Sequence, residues 1–133
     1  MKKLTFEELK KFFMNDRVAM NIGCEILEAD NTHAVVSIDV DERHYNANNS
    51  VQGGVMFTMA DFACALVANA DEIAFVSVDG NISYLCAATG KKLIAEAKLI
   101  RRGKNLVFSE ALLRDENNRN VARANFTMSR VKQ

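Results

Sequence analysis

The stretch VQGGVMFTMADFACALVANA, residues 51–70, constrains the fold more than any other part of the chain. After Gly53-Gly54 it contains no breaker up to Ala70, and its side chains are apolar nearly all the way round. A helix with that pattern is expected to be buried on every side rather than to lie on a surface. It therefore needs other secondary structure wrapped around it.

The flanking sequence supplies that wrapping. At the N-terminus, Thr5 and Glu8 form a capping-box pair, Leu4 and Leu9 are spaced for a hydrophobic staple, and Leu9, Phe12 and Phe13 continue one apolar face. Asn15-Asp16 interrupts this helix before a short segment from Arg17 to Ile22, which Gly23 ends. Strands follow at Cys24–Ala29 and Thr32–Val40, the second with Ala34, Val36, Ile38 and Val40 on one face. A polar loop, DERHYNANNSVQ, leads into the apolar helix. Four strands are expected beyond it, near Ala74–Leu85, Lys92–Arg101, Leu106–Arg114 and Arg119–Val131. The last is clearest, with Ala122, Ala124, Phe126 and Met128 alternating with Arg123, Asn125, Thr127 and Ser129. The chain has no proline, so its turns rely on Gly, Asn and Asp. The expected fold class is α+β: an antiparallel sheet curled around one central helix, with an N-terminal helix, a partner chain completing the cover.

At 133 residues the chain fits a single domain spanning residues 1–133. Seventeen basic and 17 acidic residues cancel, so nothing in the overall charge draws it to nucleic acid or an anionic membrane. No apolar run reaches the ~20 residues of a membrane span, and MKKLTFEELKKFF lacks the apolar stretch of a signal peptide. Cys24, Cys64 and Cys86 are odd in number and lack metal-like spacing, and read as reduced thiols of a cytoplasmic protein.

Two features of the central helix carry chemistry. Gly53-Gly54 permits close backbone approach, and the first amides of a helix point outward at the positive end of its dipole, an anion or oxyanion site. The structural alternative is tight packing of the helix start against a strand. Asp61 has no cation within a turn; Phe57, Thr58, Cys64 and Ala65 are its neighbours on the helix. A carboxylate in apolar surroundings is expensive unless bonded, so Asp61 is either fastened to strand-borne polar groups or a general base or nucleophile. Asp61 lies eight residues beyond Gly53, roughly 12 Å at 1.5 Å per residue. An attacking carboxylate and an oxyanion donor must both reach the same carbonyl, at ~3 Å. If both act, they come from different chains, which predicts an oligomer with two antiparallel helices side by side.

His44-Tyr45-Asn46, Val51-Gln52-Gly53-Gly54, Asp61 and SVDGNISYL at residues 77–85 together resemble the hotdog-fold acyl-CoA thioesterases of the phenylacetate-degradation (PaaI-like) type. The resemblance implies an antiparallel sheet wrapped around one long helix and hydrolysis of acyl-CoA to free acid and coenzyme A. It implies no cofactor beyond the coenzyme A of the substrate and no metal. It also implies a homodimer, or a tetramer of paired dimers. By position, Asp61 would attack the thioester directly or through water, and Gly53, with Gly54 beside it, would hold the thioester oxygen. Asn46 would hold the water or carbonyl, and Ser77 would orient Asp61 or the water. The family's usual His before Gly-Gly is Gln52 here, which cannot carry a proton at neutral pH, so a positioning role is what that position retains. Asn49 stands where relatives often have Gly, and Asn tolerates positive φ.

Arg101, Arg102 and Lys104 cluster at one turn, either a solvated hairpin or a seat for the coenzyme A phosphates. His44 is expected to brace the Asn46 loop and His33 to lie on a strand surface. Met56 and Met59 are core residues that could line an adaptable acyl pocket. Two other activities fit the resemblance less well. A non-catalytic acyl-CoA binding or sensing module would not need Asp61. A dehydratase or hydratase needs a His paired with an acid, which the helix region does not offer.

Overall fold

The computed structural model describes residues 3–131. Helix α1 (Phe6–Phe13) starts on the expected capping box: the Glu8 N–H donates to Thr5 Oγ1 at 3.1 Å, and the Thr5 N–H donates to Glu8 Oε1 at 2.9 Å. Asp16 caps α2 (Arg17–Asn21) by accepting from the Ala19 N–H, and Gly23 closes the segment at φ +83°, a conformation that favours glycine.

Strands β1 (Glu25–Ala29) and β2 (His33–Asp39) form a hairpin. A short 3-10 turn (Glu42–His44) and a loop then deliver the chain to the long helix α3 (Gly53–Asn69). The chain returns as β3 (Phe75–Tyr84), β4 (Lys92–Arg102), β5 (Leu106–Asp115) and β6 (Asn120–Arg130). All join one antiparallel six-stranded sheet in the order β1-β2-β4-β5-β6-β3, curled around α3 as the sequence pattern requires. Strand β3 crosses to the far edge and pairs only with β6 among the described residues. No helix among those residues is long and apolar enough to cross a membrane.

The inner face of the sheet is floored by small side chains: Ala95 and Ala97 on β4, Ala111 on β5, Ala122 and Ala124 on β6, all buried. Small residues below let α3 approach closely, while Met59, Phe62 and Leu66 on the helix fill the space beside them. Each large apolar side chain buried in this way contributes about 1.5–3 kcal/mol. The alternation read in β6 holds, with Ala122, Ala124, Phe126 and Met128 buried. In β2 it does not: Val35 and Ser37 on the outer face are buried as well. They are short side chains whose register partners are Glu28 and Glu25 on β1 and Glu96 and Ile94 on β4. The longer neighbours on both sides close over them.

Burial of α3 on every side also needs correction. Gly54, Thr58, Asp61 and Ala65 all remain partly or fully exposed. Their spacing of four, three and four residues is that of one helix face, so α3 presents a single open stripe.

Candidate active site

Strand β3 decides what α3 can do chemically. Its inward row is Ser77, Gly80, Ile82 and Tyr84, opposite Met128, Phe126, Ala124 and Ala122 of β6. Ser77 and Gly80 are three residues apart, yet both face inward, because the β3–β6 register shifts between Ser77 and Asp79. A bulge adds one residue and re-aims the side chains beyond it. β3 then runs beside α3 in the opposite direction and touches it at both ends of the site. Ser77 Oγ donates to Asp61 Oδ1 at 2.5 Å, and the Tyr84 hydroxyl donates to the Gly53 carbonyl at 2.8 Å. Between them a Cβ at Gly80 would collide with the Phe126 ring, which packs on Phe57 with ring centroids 5.1 Å apart.

Asp61 is half-buried. Burial pushes its carboxyl above the ordinary 3.8, the Ser77 hydrogen bond pulls it back, and the charge of Asp16 adds to the rise. Both readings of this residue are therefore physically present: it is fastened to a strand hydroxyl, and it is a perturbed carboxylate on the open stripe of the helix. By contrast, burial pushes the Cys24 thiol up to about 12 and also raises Cys64, so both stay protonated and inert. The described cysteines are free thiols.

At the other end of the site Gln52 is the N-cap of α3, its Oε1 accepting from the Val55 N–H at 3.2 Å. That leaves the amides of Gly53 and Gly54 as outward-pointing donors of the first turn. Gln52 therefore acts as an acceptor that caps the helix. The glycines also have packing reasons: a Cβ on Gly54 would lie 2.6 Å from Gln52 Oε1, and one on Gly53 would lie 2.8 Å from the Tyr84 ring. Tyr84 was not singled out from the sequence. Its inward orientation depends on the bulge, which carries no residue signature.

The preceding loop is built around Asn46. Its Oδ1 accepts from the N–H groups of Asn48 (2.8 Å) and Ser50 (3.2 Å), and its Nδ2 donates to Ser50 Oγ at 3.1 Å. Asn49 adopts φ +59°, the conformation its residue type tolerates. His44 is fully buried and braces the loop: Nδ1 accepts from the Asp41 N–H at 3.0 Å and Nε2 donates to the Ile22 carbonyl at 2.7 Å. His33 lies on β2 against Glu96 at 2.6 Å. Among the described residues no group of three His, Cys, Asp or Glu is placed to hold a metal ion.

The basic cluster separates on folding. Arg102 reaches the end of α3, donating to the carbonyls of Val67 (2.9 Å), Ala68 (3.2 Å) and Asn31 (3.0 Å). A guanidinium at a helix C-terminus satisfies orphan carbonyls and complements the dipole, so Arg102 is committed to the fold rather than free for a phosphate. Lys104 lies in the same shallow depression at the helix end. Arg101 pairs with Phe108 and lines a different depression with Asn125 and Thr127.

The sequence pattern of the thioesterase superfamily matches residues 48–122, more than half of the chain and the part that holds α3 and β3 to β5. The chain belongs to the thioesterase superfamily. This thioesterase is 30% identical to the acyl-coenzyme A thioesterase PaaI of Escherichia coli over 105 residues, 78% of this chain and 75% of that one. Among solved structures it is similar to zebrafish thioesterase superfamily member 2, with a TM-score of 0.85 and 28% identity over 96% of this chain and 99% of that one. It is also similar to a hypothetical thioesterase of Streptococcus pneumoniae solved with coenzyme A, with a TM-score of 0.79 and 26% identity over 92% and 97% of the two chains. The fold and the PaaI-like resemblance stand, and with them a thioester hydrolase. Within the thioesterase the candidate residues fall into two groups at opposite ends of one helix segment: Gly53, Gly54, Gln52, Asn46 and Tyr84 at one, Asp61 and Ser77 at the other.

Proposed function

We propose that the protein hydrolyses acyl-CoA thioesters to free acid and coenzyme A in the cytoplasm, with Asp61 as base or nucleophile. The observation that carries this reading is the Asp61 carboxylate, raised by burial and held by Ser77 on the open stripe of α3. A raised carboxylate is a stronger base than an ordinary one, placed to take a proton from water or to attack the carbonyl carbon itself. The Gly53 N–H of a neighbouring chain, with Gly54 beside it, stabilises the negative charge that develops on the thioester oxygen. With water as the nucleophile, the adduct expels the thiolate of coenzyme A and leaves the free acid; with Asp61 as the nucleophile, the thiolate leaves first and water then cleaves the acyl–Asp61 anhydride, releasing the acid and restoring the carboxylate.

Two features of the single chain support a homodimer. Gly54, Thr58, Asp61 and Ala65 form a stripe on which a second antiparallel α3 fits, bringing each Asp61 toward the partner's helix start. Strand β3 has no neighbour on its outer edge among the described residues, and its Val76 and Val78 are 54% and 59% exposed. Soluble proteins blunt or cover long edges of this kind. Pairing of two β3 strands covers this edge and sets the helices side by side. A tetramer of two such dimers extends the same reading. Asn46 shapes the loop at the oxyanion end, Gln52 orients the first turn, and Arg101 and Lys104 are the cations left for the phosphates of coenzyme A.

The test is thiol release from a panel of short, long and aryl acyl-CoAs by the parent and by Asp61→Asn. Turnover is expected to drop by at least a thousandfold with the fold intact. Full activity in the variant would refute the mechanism. Acyl-CoA binding by the parent with no thiol release identifies a binding or sensing module instead.

A further inference from the structure

The Tyr84 hydroxyl bonds a carbonyl that already has a partner. It donates to the Gly53 carbonyl at 2.8 Å, from a position 31 residues away in the sequence. In the α-helix that same carbonyl accepts from the Phe57 N–H, so the hydroxyl is its second donor. Tyr84 is 50% exposed, and its hydroxyl has water as an alternative partner. A hydrogen bond between groups with other partners adds little to stability. Yet the approach is close: a Cβ on Gly53 would lie 2.8 Å from both the Tyr84 Cζ and its hydroxyl oxygen. Glycine at position 53 is therefore what admits this hydroxyl to the carbonyl.

The effect reaches the next amide. The Gly53 carbonyl and the Gly54 N–H belong to one planar peptide unit. A donor on the oxygen polarises that unit and makes the N–H at its other end a stronger donor. It also fixes the plane of a Gly-Gly peptide, which has more backbone freedom than other residues allow. The preceding peptide has its own anchor, because the Gln52 carbonyl accepts from the Val55 N–H at 3.0 Å. Both outward amides of the first turn, those of Gly53 and Gly54, are thus backed by a donor at the carbonyl end of their own peptide. One anchor is local; the other comes from β3. Donors set in place beforehand cost no reorganisation when charge develops beside them.

We propose that Tyr84 is a positioning residue for the oxyanion site, orienting the Gly54 N–H through the shared peptide and strengthening it as a donor to the thioester oxygen. The inference rests on the thioesterase reading above. It gives β3 a part at both groups of site residues, through Ser77 on Asp61 and through Tyr84 on the glycine pair.

The chain has six glycines, so isotopic labelling of glycine nitrogen alone makes the Gly54 amide observable by NMR. In Tyr84→Phe, which removes only the hydroxyl, the Gly54 amide proton should move upfield while the Gly23 and Gly103 signals stay in place. Loss of a whole oxyanion donor lowers kcat by about a hundred- to a thousandfold. Tyr84 acts through the donor, so its loss should lower kcat by about tenfold, with KM and the urea midpoint unchanged. A ring-fluorinated tyrosine at position 84, whose hydroxyl is a stronger donor, should restore kcat to the parent's value or above. The proposal is overturned if the Gly54 signal does not move in Tyr84→Phe, or if only KM changes. It is equally overturned if kcat falls together with the urea midpoint and the fluorinated residue fails to restore it, which is the behaviour of a structural tyrosine. Thiol release by Tyr84→Phe at the parent's rate would remove this inference alone. A parent that releases no thiol from any acyl-CoA would remove the thioesterase reading and this inference with it.

Discussion

Asp61 is held in the fold at a disadvantage. Burial raises its pKa above 3.8, so the folded state binds its proton more tightly than the unfolded chain does. Its contribution is most favourable below pH 3.8 and is lost as pH rises toward the elevated folded-state value. Asp61→Asn, which removes the ionisation, should therefore raise the urea midpoint at pH 7 even as it abolishes turnover, and the stability gain should vanish below pH 3.8. Equal stability loss at both pH values would mean that Asp61 serves the fold rather than the reaction. Ser77 acts in the opposite direction, because its hydrogen bond lowers the Asp61 pKa. Ser77→Ala should move the acid limb of the kcat/KM profile to higher pH, while a purely structural serine would leave the limb in place.

Between elements, the two ends of α3 are secured by different means. Its start is closed by Gln52 over Val55 and by Tyr84 on the Gly53 carbonyl. Its end is closed by Arg102, whose guanidinium serves three carbonyls from two segments of the chain. Arg102→Met keeps the side-chain length but strands those carbonyls, and should destabilise the protein by about 2 kcal/mol in urea titration while leaving the affinity for coenzyme A unchanged. Arg101→Met should do the reverse, raising KM for acyl-CoA with no change in the unfolding midpoint. Gly80→Ala belongs to the same scale. Its methyl would enter the space of the Phe126 ring, which Phe57 backs, and overpacking of this kind costs about 1–3 kcal/mol.

At the scale of the whole molecule, the proposed site takes its base or nucleophile from Asp61 and its oxyanion donor from Gly53, eight helical residues apart, so on that reading one chain cannot complete it. Assembly and activity should then be lost together. Val78→Lys places a charge on the exposed edge strand and should yield a monomer by sedimentation velocity, with thiol release reduced at least a hundredfold. A fully active monomer would show that one chain suffices.

Much of this was determined locally and could be read from the sequence. The Thr5–Glu8 box, the Gly23 stop, Asn49 at positive φ, the alternation in β6 and the length of α3 each depend on residues within a turn or a strand of one another, which is the range over which residue type dictates conformation. The pairing of Asp61 with Ser77 was visible only through resemblance, since 16 residues and a change of element separate them. The rest was decided in three dimensions. The bulge at Val78 has no residue signature, and it is what turns Gly80 and Tyr84 toward the helix. Arg102 looked like its neighbours until strand β4 carried it to the end of α3. The stripe left open on an otherwise buried helix depends on which surfaces one chain leaves uncovered. That is a property of packed volume, which no local pattern of residues encodes.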